Sequence, residues 1–333
     1  MRNSWVTFAG YLLVLVLLSL LLPSAQDNYY SKIAMSAGIA VTLGVSLNIV
    51  NGFTGQFSIG HAGFMAIGAY QAAALAAWAD QAQPLGLTGS PAGQQLLIGV
   101  SVVLSGASAA VAGFLVGLPS LRLRGDYLAI ATLGFGEIIR VMVENAEWLG
   151  GSRGFSMPPS AAPVDLLWIW GIAGVTVLTS ARLKTSTQGR AMLAVREDEI
   201  AAEAMGVNTT QEKVRAFVVA AFFAGVAGAL FAHLELYLNP KSFTFMRSIE
   251  VVAMVVLGGM GSISGAVLAA IFLSILPEAL RPVQDLTGFD LRMVLYGLLL
   301  IIVPIKRPSG LFGQAEIGLF RPARRARASR GAS

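Results

Sequence analysis

Ten apolar stretches, most of them near the roughly 20 residues that a helix needs to cross a bilayer, constrain this chain more than anything else in it. They occupy approximately residues 5–22, 33–50, 62–79, 95–118, 127–147, 164–181, 216–238, 249–262, 263–280 and 290–305. The eighth and tenth are short, and the eighth and ninth read equally well as one broken element. Charged residues are only 12% of the chain and hydrophobic ones 55%, against about 25% charged in a soluble domain. A water-exposed surface cannot be built from such a chain. The predicted fold is an all-α polytopic membrane protein of about ten transmembrane helices. Residues 1–305 form one transmembrane domain with a polar segment, 182–215, set inside it; residues 306–333 form a basic tail, disordered toward its end. Arg2 and the run Val6–Leu22 resemble a signal peptide. Pro23, however, stands where a small residue is needed for a cut after Ala25, so an uncleaved first span is expected.

Basic residues set the orientation. Alternating sides from a cytoplasmic Arg2 places Arg122, Arg124, the 182–215 segment and the tail residues Lys306, Arg307, Arg321, Arg324, Arg325, Arg327 and Arg330 inside. Fewer (Lys32, Arg153, Lys241, Arg247, Arg281 and Arg292) fall outside. The positive-inside bias therefore supports an even span count and two cytoplasmic termini. It also accounts for the net charge of +5 by membrane orientation, leaving the lipid bilayer and not nucleic acid as the partner. The chain has no cysteine and only two histidines, His61 and His233. Disulfides, thiol catalysis and cysteine metal sites are excluded, and no metal site or cofactor is expected. Gly150-Gly-Ser152-Arg-Gly154 has the spacing of a nucleophile elbow but lies in a Gly/Pro-rich connection without triad partners. No Gly-Lys-Ser/Thr string occurs, so the chain does not bind ATP through a phosphate loop. Asn208-Thr-Thr210 fits a glycosylation acceptor only on the wrong side of the membrane.

Two apolar regions are interrupted by glycine and polar residues, Asn48–Gly63 and Gly258–Gly265. They lie at comparable distances from the two ends of the apolar region, and a five-span spacing would make them counterparts in a five-plus-five inverted repeat. Interrupted spans at matching positions point to a transport path. Irregular backbone at membrane depth must face protein or a wet cavity, so Thr54, Gln56, Ser58 and His61 are expected to face inward. They serve either as path or gate residues or, with Ser58 as an N-cap, as the closure of a turn. On the fifth span Glu137, Arg140 and Glu144 are spaced i, i+3 and i, i+4, which aligns them on one stripe. Charge at membrane depth is costly, so this stripe should be paired and turned inward, as an ion pair or a substrate contact. Gly113 and Gly117, and Gly261 and Gly265, have the spacing of close helix packing. His233 and Glu235 sit two apart and form no designed pair.

The 182–215 segment carries Arg182, Lys184, Arg190, Arg196, Lys213 and Arg215. Within it Glu197, Asp198 and Glu199 read as an acidic first turn of a helix. Ile200, Ala201, Ala202, Ala204 and Met205 read as its small apolar face, and Gly206 as its stop. A helix of about ten residues is unstable alone in water, so it must pack on its own bundle or dock into another protein.

Four strings resemble one family: Asn51-Gly-Phe-Thr-Gly-Gln-Phe-Ser-Ile-Gly-His-Ala-Gly63, Leu121-Arg-Leu-Arg-Gly-Asp-Tyr-Leu-Ala-Ile-Ala-Thr-Leu-Gly-Phe-Gly136, Gly189-Arg-Ala-Met-Leu-Ala-Val-Arg-Glu-Asp-Glu199 and Val255-Val-Leu-Gly-Gly-Met-Gly261. In order, they are similar to permeases of branched-chain amino acid ABC importers, and more closely to the second, longer permease of the pair. The resemblance runs from about residue 30 to about 313. It implies a non-enzymatic permease domain over 1–305 in a bacterial inner membrane, importing leucine, isoleucine, valine or related amino acids. It further implies a second permease subunit, two cytoplasmic ATP-binding subunits and an extracytoplasmic substrate-binding protein. Coupling to the ATPases carries over onto Arg196, Glu197, Asp198, Glu199, Glu203 and Gly206, while the candidate substrate path stays with the residues read above from the chain itself, Thr54, Gln56, Ser58, His61, Glu137 and Arg140. Urea and short-chain amide permeases share this patterning; a self-sufficient ion-driven carrier or channel is the reading from a different class.

Overall fold

A computed structural model describes residues 29–82, 89–120, 125–158 and 161–280, with 297–298, 301–302, 305–306 and 310. The span 5–22, most of the span 290–305, Arg122, Arg124 and nearly all of the tail lie outside the described residues. Ten α-helices are described: α1 Tyr29–Asn48, α2 His61–Ala82, α3 Pro91–Ser120, α4 Asp126–Glu144, α5 Leu166–Thr185, α6 Thr187–Glu197, α7 Glu199–Ala204, α8 Thr209–Glu235, α9 Phe245–Gly258 and α10 Ile263–Ala279. A π-helical turn, Ile49–Phe53, prolongs α1. The protein is a helix-packed membrane protein. Among the described residues five helices are long and apolar enough to span, namely α1 with its π turn, α2, α3, α5 and α8. The helix α4 carries Glu137, Arg140 and Glu144, and α9 and α10 are shorter, with 14 and 17 residues.

Burial orders these helices from the centre outward. Along α1 nearly every side chain from Ala37 to Asn48 is buried, whichever way it points. A helix apolar on all sides belongs inside a bundle, and α1 packs on α5, α8, α9 and α10. The second central helix, α8, packs on α2 and α3. By contrast α3 exposes Val103, Leu104, Val111, Phe114, Leu115 and Leu118, an apolar surface suited to lipid or another subunit.

Glycine sets how closely these helices approach. Side chains gain little in lipid by leaving it for one another, so close backbone contact supplies the attraction. A Cβ on Gly68 would lie 2.0 Å from the Gly225 carbonyl oxygen, and one on Gly228 would lie 2.0 Å from that of Met65. Gly113 meets Ala221 of α8 in the same way, so its packing lies within the chain. The expected Gly261–Gly265 helix pair is not formed: Gly261 lies in the turn between α9 and α10 at φ +88°, and Gly265 packs on Gly258.

At the end away from α6 and α7, Lys32 pairs with Glu235 at 2.9 Å. There β1 (Phe155–Ser156) and β2 (Tyr237–Leu238) form a short antiparallel ladder, with the Tyr237 hydroxyl donating to the Arg153 carbonyl at 2.5 Å. Gly150–Gly154 belongs to this excursion as 3₁₀ turns, not as a strand–turn–helix elbow. His233 is buried, its Nε2 3.2 Å from Ser101 Oγ and its Nδ1 3.0 Å from the Ala162 carbonyl. From the last turn of α8 it ties that helix to α3.

Candidate coupling site and substrate path

The 182–215 segment folds as two short helices at one end of the bundle. Ser186 caps α6 by accepting from the Gly189 amide at 3.0 Å. Asp198 then breaks the chain direction at φ −157° and caps α7, its Oδ1 accepting from the Ile200 and Ala201 amides at 2.9 and 3.0 Å. The single helix expected from Glu197 onward is thus two: Glu197 ends α6, Asp198 is a cap and only Glu199 lies in the first turn of α7. An aspartate before a helix can serve either role, and the interrupting cap won because it satisfies two orphan amides at once.

The acidic cluster is largely engaged within the chain. Glu197 pairs with Arg196 at 2.5 Å and Glu199 with the buried Lys213 at 2.6 Å. The most exposed apolar side chains of α7 and its C-cap are Ile200, 73% exposed, and Met205, 85% exposed. Glu203 and Gly206 are exposed beside them, and Gly206 has the positive φ, +85°, of a helix stop.

The two glycine-broken segments meet at this same end. The Asn48 side chain donates to the Ser262 carbonyl at 3.1 Å and accepts from the Gly261 amide at 2.8 Å. Gly52 lies so close that a Cβ there would be 2.4 Å from the Gly261 nitrogen. The two interrupted segments are therefore in direct contact with one another beside α6.

Thr54, Gln56, Ser58 and His61 are all buried. Thr54 Oγ1 donates to the Val50 carbonyl at 2.8 Å, Ser58 N donates to Asn51 Oδ1 at 3.2 Å, and His61 Nε2 lies 2.8 Å from Ser46 Oγ. Gln56 Oε1 is a long 3.5 Å from Thr54 Oγ1. They close the turn from α1 into α2. Because α2 starts at His61, Gly60 and not Ser58 holds the N-cap position. Gly60 is pressed on α4, where a Cβ would lie 2.2 Å from the Thr132 carbonyl.

The starts of α2 and α9 converge on the middle of α4. The Ala62 amide of α2 donates to Ser248 Oγ of α9 at 3.0 Å, and the Phe245 amide of α9 donates to Glu137 Oε1 at 3.1 Å. Ile59, Gly63, Gly136, Glu137 and Phe243 help to line a small recess there. Arg140 joins Glu137 and Glu144, with its Nε and Nη1 each 2.7 Å from a carboxylate oxygen. The expected stripe is therefore a continuous ion-paired ladder, and its Glu137 end accepts from the amide of Phe245 at the start of α9. Sequence spacing found the ladder; the α9 partner, 108 residues away from Glu137, left no local signal.

The model of the branched-chain amino acid transport system permease component matches residues 29–304. The high-affinity branched-chain amino acid transport system permease protein LivM of Escherichia coli (strain K12) is 36% identical, over 90% of this chain and 74% of that protein. LivH of the same organism, also a high-affinity branched-chain amino acid transport system permease protein, is 31% identical over 58% of this chain and 60% of its own. A probable branched-chain amino acid transport permease protein LivM of Methanocaldococcus jannaschii is 26% identical over 66% and 71%. No solved structure matches. The coverage by the family model, together with the identity to LivM along nearly the whole chain, means that this chain belongs to the family of branched-chain amino acid transport system permease components.

Proposed function

We propose that this chain is one of two permease subunits of a branched-chain amino acid ABC importer in a bacterial inner membrane. It works with two cytoplasmic ATP-binding subunits and an extracytoplasmic binding protein, and both its termini are cytoplasmic. Family membership supports the permease role, and the chain itself is no enzyme. The observation that carries coupling is α7, only six residues long. A helix this short is unstable alone, yet Asp198 and Lys213 hold it in place while Ile200 and Met205 project outward. On this reading Ile200, Glu203 and Met205 seat in an ATPase groove, with Gly206 ending the knob; Arg196, Glu197, Asp198 and Glu199 shape it from behind. ATP then drives transport through a difference in ATPase affinity between two states of the bundle.

The substrate path passes the recess at the starts of α2 and α9, beside Glu137 and Arg140, with Thr54, Gln56, Ser58 and His61 forming the packed floor below. Converging helix N-termini attract a carboxylate, and Glu137 is suited to an ammonium. A five-plus-five repeat is supported by direction: α1 runs toward the α6 end and α2 returns, whereas α8 runs away from that end and α9 returns. Residues 54–60 then correspond to 236–244.

Ile200→Asp with Met205→Asp is expected to weaken ATPase binding roughly tenfold or more, as for a truncated interface anchor. Co-purification of the ATP-binding subunits with the otherwise intact permease pair measures this. Undiminished co-purification, or uptake by this chain alone in liposomes without ATP, would overturn the reading.

A further inference from the structure

The segment that carries α6 and α7 does more than sit beside the paired breaks; two of its cations hold them. Arg196, at the end of α6, donates through Nη1 to the Gly52 carbonyl at 2.8 Å. Lys184, in the last turn of α5, donates through Nζ to the Gly261 carbonyl at 2.6 Å and lies 5.8 Å from the centre of the Phe53 ring. Each carbonyl belongs to one broken segment, and the two segments are joined by Asn48. Arg196 is fixed from both sides: Glu197 Oε1 accepts from its Nη2 and Nε at 2.5 and 3.1 Å, and its Cγ would touch a Cβ on Gly55 at 2.8 Å.

The physical logic favours cations here. The Gly52 carbonyl lies in the last turn of the helical run from α1, at the negative end of a helix dipole. The Gly261 carbonyl lies in the turn before α10, and to either a charged donor makes the stronger hydrogen bond. Hinge-capable backbone surrounds the contact: a π turn at Ile49–Phe53, and glycines with positive φ at Gly55, Gly259 and Gly261. A π turn is a frequent mark of a functional position in a helix.

We propose that Arg196 and Lys184 are positioning residues that clasp the two broken spans, Arg196 tying α6 to the Gly52 break and Lys184 tying the end of α5 to the Gly261 break. Displacement of α6 relative to α5 pulls the Gly52–Gly261 seam apart, which converts movement of α7 into a change at the inner end of the path. This inference rests on the coupling role proposed above for α7.

The test uses the complete importer in liposomes, with ATP hydrolysis and amino acid uptake measured on the same preparation. Lys184→Ala, outside the proposed docking knob, is expected to leave ATPase co-purification and hydrolysis in place. Arg196→Ala is compared per ATP hydrolysed by the assembled importer, so that any loss of docking is divided out. Uptake per ATP should fall roughly tenfold, within the range by which residues along a coupling route alter it. Arg196→Lys should recover part of the loss, since one ammonium donor still reaches the Gly52 carbonyl. Unchanged uptake per ATP in both alanine variants overturns the clasp. Loss of ATPase binding insensitive to Ile200 and Met205 would instead overturn the α7 reading.

The absence of native cysteine permits a second measurement should the alanine variants not assemble. Spin labels on Phe57→Cys and Met260→Cys, both exposed positions, report the seam in an otherwise native importer. Their separation should differ between nucleotide-free and ATP-trapped states. An identical separation in the two states overturns the proposal.

Discussion

Gly52→Ala is expected to abolish uptake and to lower the stability of the purified protein by more than about 3 kcal/mol, combining overpacking with newly orphaned polar groups. The added methyl would stand 2.2 Å from Asn48 Oδ1, 2.4 Å from the Gly261 nitrogen and 2.8 Å from the Gly261 Cα. Two of those three atoms are backbone and cannot rotate away. Asn48 could turn aside, but it is fully buried and would leave the Gly261 amide and the Ser262 carbonyl without their partner. Overpacking costs about 1–3 kcal/mol and each stranded buried group about as much again. Gly171→Ala is the control, because a Cβ on Gly171 in α5 meets nothing within 4 Å. There alanine should be neutral or stabilising by up to about 1 kcal/mol, the ordinary helix preference. Thermal unfolding in detergent and uptake by the reconstituted importer measure both variants. A Gly52→Ala protein as stable and active as the parent would show that the seam is not tightly packed in the working protein.

What could be read from the chain beforehand, and what could not, divides by the range of the contact. The eight internal apolar stretches from 33–50 to 263–280 fall on the helices α1–α5 and α8–α10, of which five are long and apolar enough to span, because apolar length is a local property of the sequence. The Glu137–Arg140–Glu144 ladder was legible for the same reason: helical spacing puts the three on one stripe. Gly52 and Gly261 are each conspicuous as glycine, yet nothing in either string says that they touch, because the Asn48–Gly261 bond spans 213 residues. Arg196 looked like a charge facing a partner protein and turned out to hold a backbone carbonyl 144 residues away. Asp198 read as first-turn charge, and only the direction of the chain at that residue shows it to be a cap. The apolar face assigned to α7 was visible as residue types, but not that Ala202 would be buried while Ile200 and Met205 remained exposed.

Arg140→Leu should be the most damaging single change on α4. Arg140 joins two carboxylates, Glu137 and Glu144, at 2.7 Å each, and all three side chains are mostly shielded, at 20%, 32% and 30% exposure. In water such pairs contribute at most about 1 kcal/mol. For a charge at the centre of a membrane helix the insertion scale gives about 2.5–3.5 kcal/mol. Glu137, well inside α4, is the one that approaches this cost, while Glu144 at the helix end loses its partner nearer the mouth. Glu137 lies about 16 Å along α4 from Asp126, counting 1.5 Å per residue, well inside the helix. The expected result is a fall of membrane-inserted protein to about a tenth of the parent level or less, measured by quantitative blotting of membranes. Adding Glu137→Gln and Glu144→Gln to Arg140→Leu removes every charge of the ladder while keeping a carbonyl oxygen that can accept from the Phe245 amide. That triple variant should insert and assemble at near-parent levels. Its uptake then separates the two roles a buried ladder can have. Uptake that stays abolished in a fully assembled importer places the charges on the substrate path, as the convergence of α2 and α9 on Glu137 favours. Uptake restored along with assembly would reduce the ladder to a brace that keeps α4 in the bundle.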